Sequence, residues 1–310
     1  MEIVRPIFLI GSGRSGSSVL YEALAVHPEL GWIPNYWERF PGLAIAALLP
    51  RVYDLPLLRL ISRGEKKQRR SNISFVNRYL PTPGEPYALW SRWCGEKIRR
   101  DYLVGVVASP DEKRLARAGV NWTLRAQGKK RFLAKFTGPS RIEYLRSIFP
   151  DALFIHLVRD GRVVSSSLLR TEFWQKGGGL ERPWWGNGLP EGWEDEWAKY
   201  DRSPLALAAM QWRTVMDICE QERRLLAPGQ YLEVKYEDFV VDPPGTANRI
   251  QSFCGLELSA RVTDYVGQAD RYQNMNERHF QRMSPEELRV LEAILGECLE
   301  RNGYQLGATA

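Results

Sequence analysis

The chain has 310 residues, 44% of them hydrophobic and 26% charged, which is enough for a sizeable core in one large domain or two small ones. Its net charge of +6 suits an anionic small ligand and is too mild and evenly spread to make a nucleic-acid surface. Four cysteines without CxxC spacing (Cys94, Cys219, Cys254, Cys298) and three histidines (His27, His156, His279) argue against a zinc centre and against a disulfide scaffold.

In chain order, "MEIVRPIFLI" lacks the charged start, long apolar core and cleavage site of a signal peptide. Ile7–Ile10 reads as a first strand. It ends in "GSGRSGSS" (Gly11–Ser18), and a helical pattern runs over Gly16–Val26. Against the phosphate-loop pattern GxxxxGK[ST], Gly11, Gly16 and Ser18 fit and Ser17 stands in the lysine's place. Arg14 is the loop's cation. Glycines let the backbone approach an anion, and amides opening the helix point at it. The same residues also fit a tight strand–helix connection that holds nothing.

Next comes "HPELGWIPNYWERF" (His27–Phe40), with Glu29 serving the turn and Glu38 beyond it. Residues 41–130 are punctuated by proline and carry "SRGEKKQRR" (Ser62–Arg70), read as a solvated loop. The apolar stretches Leu43–Leu49 and Leu55–Ile61 are broken by Pro50, Arg51, Asp54, Pro56 and Arg59, well short of the ~20 residues of a membrane-spanning helix. A soluble, cytoplasmic chain is expected.

Phe132–Lys135 is the second expected strand, followed by helix Arg141–Phe149. Strand Leu153–Val158 runs into "VRDGRVVSSSLL", where Arg159 meets the carboxyl edge of the sheet and helix Gly161–Leu169 brings Ser167 eight residues later. His156 alternates inside this strand and reads as core. A guanidinium binds phosphate in bidentate fashion, and a serine on the next helix adds a hydroxyl. An Arg–Asp surface pair fits the same letters. Phe173–Pro204 is rich in Gly, Pro and Trp and holds Trp174, Trp184, Trp185, Trp193 and Trp197. Helix Leu205–Leu226, strand Tyr231–Val234, helix Gly245–Cys254 and helix Pro285–Arg301 complete the order. The last is signalled by Ser284 as N-cap, Pro285, Glu287 and a stop at Gly303. Strands alternating with helices predict an α/β fold, a parallel sheet covered on both faces. The chain reads as a single domain, 1–310, with insertions at about 41–130 and 173–204.

Together, "GSGRSGSS", "VRDGRVVSSS", "VKYEDF" (Val234–Phe239) and "ERNGY" near the end resemble the PAPS-dependent sulfotransferase family. The resemblance implies a P-loop-NTPase-like sheet binding 3'-phosphoadenosine 5'-phosphosulfate (PAPS) without a metal. The product would be adenosine 3',5'-bisphosphate. It assigns Gly13, Arg14, Ser15, Gly16, Ser17 and Ser18 to the phosphosulfate, Arg159 and Ser167 to the 3'-phosphate, and Tyr236 to the adenosine side. It also accounts for the absent lysine, because there is no γ-phosphate or Mg²⁺ to hold.

The implied reaction is in-line sulfuryl transfer to a hydroxyl of a small-molecule, carbohydrate or lipid acceptor, with Arg14 and Lys135 stabilising charge. Lys135 also fits a strand-end lysine facing water. Relatives acting on phenols carry a histidine two residues after that lysine; here Thr137 stands there. Carbohydrate- and tyrosine-sulfating relatives use a glutamate after the first helix, which makes Glu38 the expected base, with His279 as the alternative. Tryptophans of 174–197, with Trp32, Tyr36 and Trp37, either wall an acceptor site or pin the insertion to the core. A P-loop kinase or NTPase, and a non-catalytic nucleotide binder, are the competing readings.

Overall fold

Short, mostly apolar runs become the strands of one parallel sheet, buried on both faces except at the edge strand Tyr231–Lys235. In the computed structural model, which describes residues 2–40, 44–54, 81–267 and 274–307, these are β1 (Ile7–Gly11), β2 (Leu30–Trp32), β3 (Arg131–Thr137), β4 (Leu153–Val158) and β5 (Tyr231–Lys235). They pair in the order β2-β3-β1-β4-β5, every pairing parallel. The four expected strands lie within β1, β3, β4 and β5. The sequence does not announce β2, since three residues at a sheet edge are too few to show a period.

Alternate side chains pack on opposite faces. Phe8 and Ile10 of β1 join Phe132, Phe136 and Phe154 in one core, and Ile7 and Leu9 join Leu133, Ile155 and Leu157 in the other. Phe8 stacks on Phe154 with ring centroids 5.7 Å apart. Helices Ser17–Ala25 and Pro243–Cys254 cover the second face; helices Pro110–Gln127, Gly161–Leu168, Pro204–Arg223 and Pro285–Arg301 cover the first.

The 18-residue helix Pro110–Gln127 lies inside the stretch read as a proline-punctuated insertion. Ser109 caps it with a capping box, its hydroxyl accepting from Glu112 N–H while Glu112 reaches back to Ser109 N–H. The same Ser-Pro-x-Glu signature starts helix Pro285–Arg301. The charge run Ser62–Arg70 and the stretch Leu55–Ile61 lie outside the described residues. Among the described residues no helix is long and apolar enough to cross a membrane.

From β1 the chain goes to the edge strand β2, returns through β3, and then crosses to β4 on the other side of β1. Loops leaving β1 and β4 therefore diverge at the carboxyl edge and open a crevice there.

His156 is core, as read. It is buried, its Nδ1 lies 2.6 Å from the Tyr231 hydroxyl, and burial, with Arg223 nearby, pushes its pKa down to about 3. Between pH 6.5 and about 3 the unfolded chain binds a proton here that the native chain does not, so stability falls with acidification, by up to about 1.4 kcal/mol per pH unit. His156→Leu is expected to flatten this slope. Urea unfolding of both proteins at pH 7.5 and 5.5 measures it; equal slopes refute the assignment.

Candidate active site

The loop after β1 bends back on itself at positions that side chains rarely allow. Gly16 has φ +89°, and a Cβ there would lie 2.7 Å from the Tyr236 ring. Arg14 adopts φ +72°, in the left-handed region. Two long-range bonds hold it: Arg14 Nε donates to Ser167 Oγ at 3.1 Å, and Arg159 Nη1 donates to the Arg14 carbonyl at 2.9 Å. Gly16 caps the helix Ser17–Ala25 with no side-chain bond to its amides. Ser17 is buried beneath. Ser15 Oγ is buried and has no hydrogen-bond partner.

The "VRDGR" segment resolves its own ambiguity. Asp160 pairs with Arg162, not Arg159: Arg162 Nη2 lies 2.8 Å from Asp160 Oδ2 and its Nη1 2.6 Å from Glu292, all within the protein. Asp160 also caps its helix by accepting from Arg162 N–H at 2.9 Å. Arg159 is left with neutral partners. It stacks 4.1 Å over the Tyr236 ring and donates Nε to Asn276 Oδ1 at 2.9 Å, and its Nη2 is buried without a partner. Burial lowers its pKa, and Arg14 adds to that. Asn276 in turn donates to Glu237 at 2.6 Å, and Glu237 accepts from the Tyr304 hydroxyl at 3.0 Å. So the Tyr-Glu-Asp segment braces Arg159 from two sides.

This corner is electropositive. Burial and the charges of Arg159, Arg170, Arg282 and Arg14 push His279 down to about 4. Among the described residues no group of three His, Cys, Asp or Glu is placed to hold a metal ion.

Lys135 does not face water. It is 7% exposed; its Nζ donates to Ser18 Oγ at 2.8 Å and pairs with Glu85 Oε1 at 2.7 Å. Glu85 Oε2 accepts from Thr137 Oγ1 at 2.7 Å and from Thr137 N–H at 3.3 Å. Glu38 stands elsewhere. Its carboxylate is exposed and accepts from Ala88 N–H at 3.0 Å at the start of helix Tyr87–Cys94. The base expected at Glu38 is thus used as a helix cap, and its apolar neighbours do not enclose it: Trp32 and Trp37 are buried in the core. Glu85, inside "PTPGEPY", carries no periodic or motif signal that marks it in the sequence.

A cavity of about 420 Å³ opens from Ser12 and Gly13 of the loop and passes Glu85 and Thr137. Trp174, Trp184, Trp185 and Trp212 wall it. The tryptophan-rich stretch therefore splits. Its first half faces this cavity, while Trp193 and Trp197 pack on each other 5.7 Å apart and Trp197 donates to the Ser203 carbonyl at 2.8 Å.

Comparison with known proteins adds four matches. A family model described as the sulfotransferase family matches residues 6–260. The omega-hydroxy-beta-dihydromenaquinone-9 sulfotransferase Stf3 of Mycobacterium bovis is 23% identical over 325 aligned positions, which cover 96% of this chain and 75% of the relative. In fold, the chain resembles sulfotransferase STF9 from Mycobacterium avium (TM-score 0.59, 15% identity, 99% of this chain and 79% of that one). It also resembles the sulfotransferase domain from the curacin biosynthetic pathway (TM-score 0.57, 13% identity, 99% of this chain and 100% of that one).

Proposed function

Because the chain belongs to the sulfotransferase family, we propose that the loop Gly13–Ser18 with Arg14, Lys135, Arg159, Ser167 and Tyr236 is its site for PAPS. The observation that carries this is the meeting of two guanidinium side chains at the loop, Arg14 donating to Ser167 and Arg159 to the Arg14 carbonyl. Arg14 and Arg159 come from different strand ends, and neither is paired with a carboxylate among the described residues. Arg159 is buried and Arg14 exposed beside it, and cations without a carboxylate partner, one of them desolvated, favour an anionic ligand. The orphaned Ser15 Oγ and Arg159 Nη2 are the donors such a ligand would satisfy.

PAPS supplies the sulfuryl group and departs as adenosine 3',5'-bisphosphate. The chain's own work is positioning and charge stabilisation. Arg14, Lys135 and the amides of Ser17 and Ser18 hold the 5' end and meet the charge that grows there. Arg159 and Ser167 hold the 3'-phosphate, and Tyr236 the adenosine side. We assign the acceptor to the tryptophan-walled cavity, whose chemistry suits an apolar alcohol or phenol. The menaquinone-derived substrate in the Mycobacterium bovis relative's name is in keeping with that. We take 1–310 as one domain working in the cytoplasm, where four free, buried cysteines are at home.

Titration calorimetry with adenosine 3',5'-bisphosphate and with ATP tests the reading. The first is expected to bind and the second not; the reverse selects the kinase reading. Transfer of label from ³⁵S-PAPS is expected to survive EDTA. Activity abolished by EDTA and restored by Mg²⁺ would refute the metal-free assignment.

A further inference from the structure

Glu85 is the one carboxylate among the described residues that line the tryptophan-walled cavity. Thr137, standing where phenol-sulfating relatives carry histidine, fixes it. The Thr137 hydroxyl and amide both donate to Oε2, which leaves Oε1 as the oxygen with one partner, the Lys135 ammonium at 2.7 Å. That ammonium also touches Ser18 at the opening of helix Ser17–Ala25. Lys135 therefore stands between a carboxylate and the loop assigned to the phosphosulfate.

We infer that Glu85 is the base that takes the acceptor's proton, and that Lys135 holds its carboxylate until the donor draws the ammonium to the loop. This rests on the sulfotransferase reading. A single ammonium cannot fully serve both a carboxylate and a phosphosulfate, and the two anions repel each other. Once Lys135 turns to the donor, Oε1 is exposed to the cavity with its orientation kept by Thr137. The proton of the acceptor hydroxyl passes to Oε1 and the acceptor oxygen bonds to sulfur. The bond from sulfur to the 5'-phosphate oxygen breaks, and its electron pair leaves on adenosine 3',5'-bisphosphate. Glu85 then gives its proton to water. Neither Glu38 nor His279 competes, since neither lines the cavity.

Two readouts test this. In the first, Glu85→Gln is expected to bind adenosine 3',5'-bisphosphate about tenfold more tightly by calorimetry, because Lys135 is released and a repelling charge is gone. Lys135→Ala should bind it more weakly, and adding Glu85→Gln to Lys135→Ala should recover much less than tenfold. A glutamate that merely props Lys135 in place predicts weaker binding in Glu85→Gln, and that result, or unchanged affinity, overturns the inference. In the second, transfer from ³⁵S-PAPS to 2-naphthol or farnesol should fall about 10²–10⁴-fold in Glu85→Gln; near-wild-type turnover also overturns it. If the wild type fails to bind adenosine 3',5'-bisphosphate, the donor reading falls and this inference with it. Binding by the wild type with no change in the variants sinks the inference alone.

Discussion

Arg14→Ala is expected to lower turnover about 10²–10³-fold, the usual cost of removing one donor aimed at developing charge. Its backbone makes the test unusually clean. Arg14 sits at φ +72°, a conformation that costs a non-glycine residue roughly 1–2 kcal/mol. Such strain persists only where the surroundings enforce it, here through Ser167 on the side chain and Arg159 on the carbonyl. Arg14→Gly relieves the strain and deletes the cation. It should therefore lose as much turnover as Arg14→Ala while unfolding at equal or higher urea concentration. A glycine variant that keeps its turnover would remove Arg14 from the chemistry. One that unfolds much earlier would make the residue a structural strut.

The second large effect is on affinity. Arg159→Ala should weaken adenosine 3',5'-bisphosphate binding by about 1.5–3 kcal/mol, the scale of a charge-assisted hydrogen bond, or roughly 10–10²-fold. Arg159→Lys should fare little better. An ammonium cannot donate Nε to Asn276, cover the Tyr236 ring and keep two further donors aimed elsewhere. Calorimetry with adenosine 5'-monophosphate supplies the control: the variant should lose most of the advantage the 3'-phosphate gives. Unchanged discrimination between the two ligands would move the 3'-phosphate away from Arg159.

The strand ends that carry Arg14, Lys135 and Arg159 are legible in the sequence because buried parallel strands are continuous apolar runs that stop at turn residues. What the letters could not settle is partner choice. "VRDGR" offers Asp160 two arginines, and only packing shows that it takes Arg162 and leaves Arg159 unpaired. Glu85 was invisible for a related reason. Its significance lies in being 2.7 Å from Lys135, a residue 50 positions away in sequence, inside a proline-rich stretch without a period. Glu38 had the better sequence argument, a place after the first helix, and the worse geometry. The helix Pro110–Gln127 was available from its capping box, since "SPDE" repeats the pattern of "SPEE". The tryptophans divided between cavity and core because composition says nothing of direction.

The bonds that draw this loop and its neighbours together join residues very far apart: 153 positions for Arg14 to Ser167, 145 for Arg159 to the Arg14 carbonyl, 117 for Arg159 to Asn276 and 117 for Lys135 to Ser18. Closing such loops is entropically expensive until neighbouring structure already holds the ends close. These contacts are therefore expected to form late in refolding, and forming them gathers several cations in one place. An anion that fits only the finished arrangement pulls this equilibrium forward by mass action, adding about 2.7 kcal/mol at a hundred times its dissociation constant. If the proposed donor nucleotide is that anion, it acts on folding as well as in the reaction, and heat and protease should destroy the protein more slowly with it present than without it.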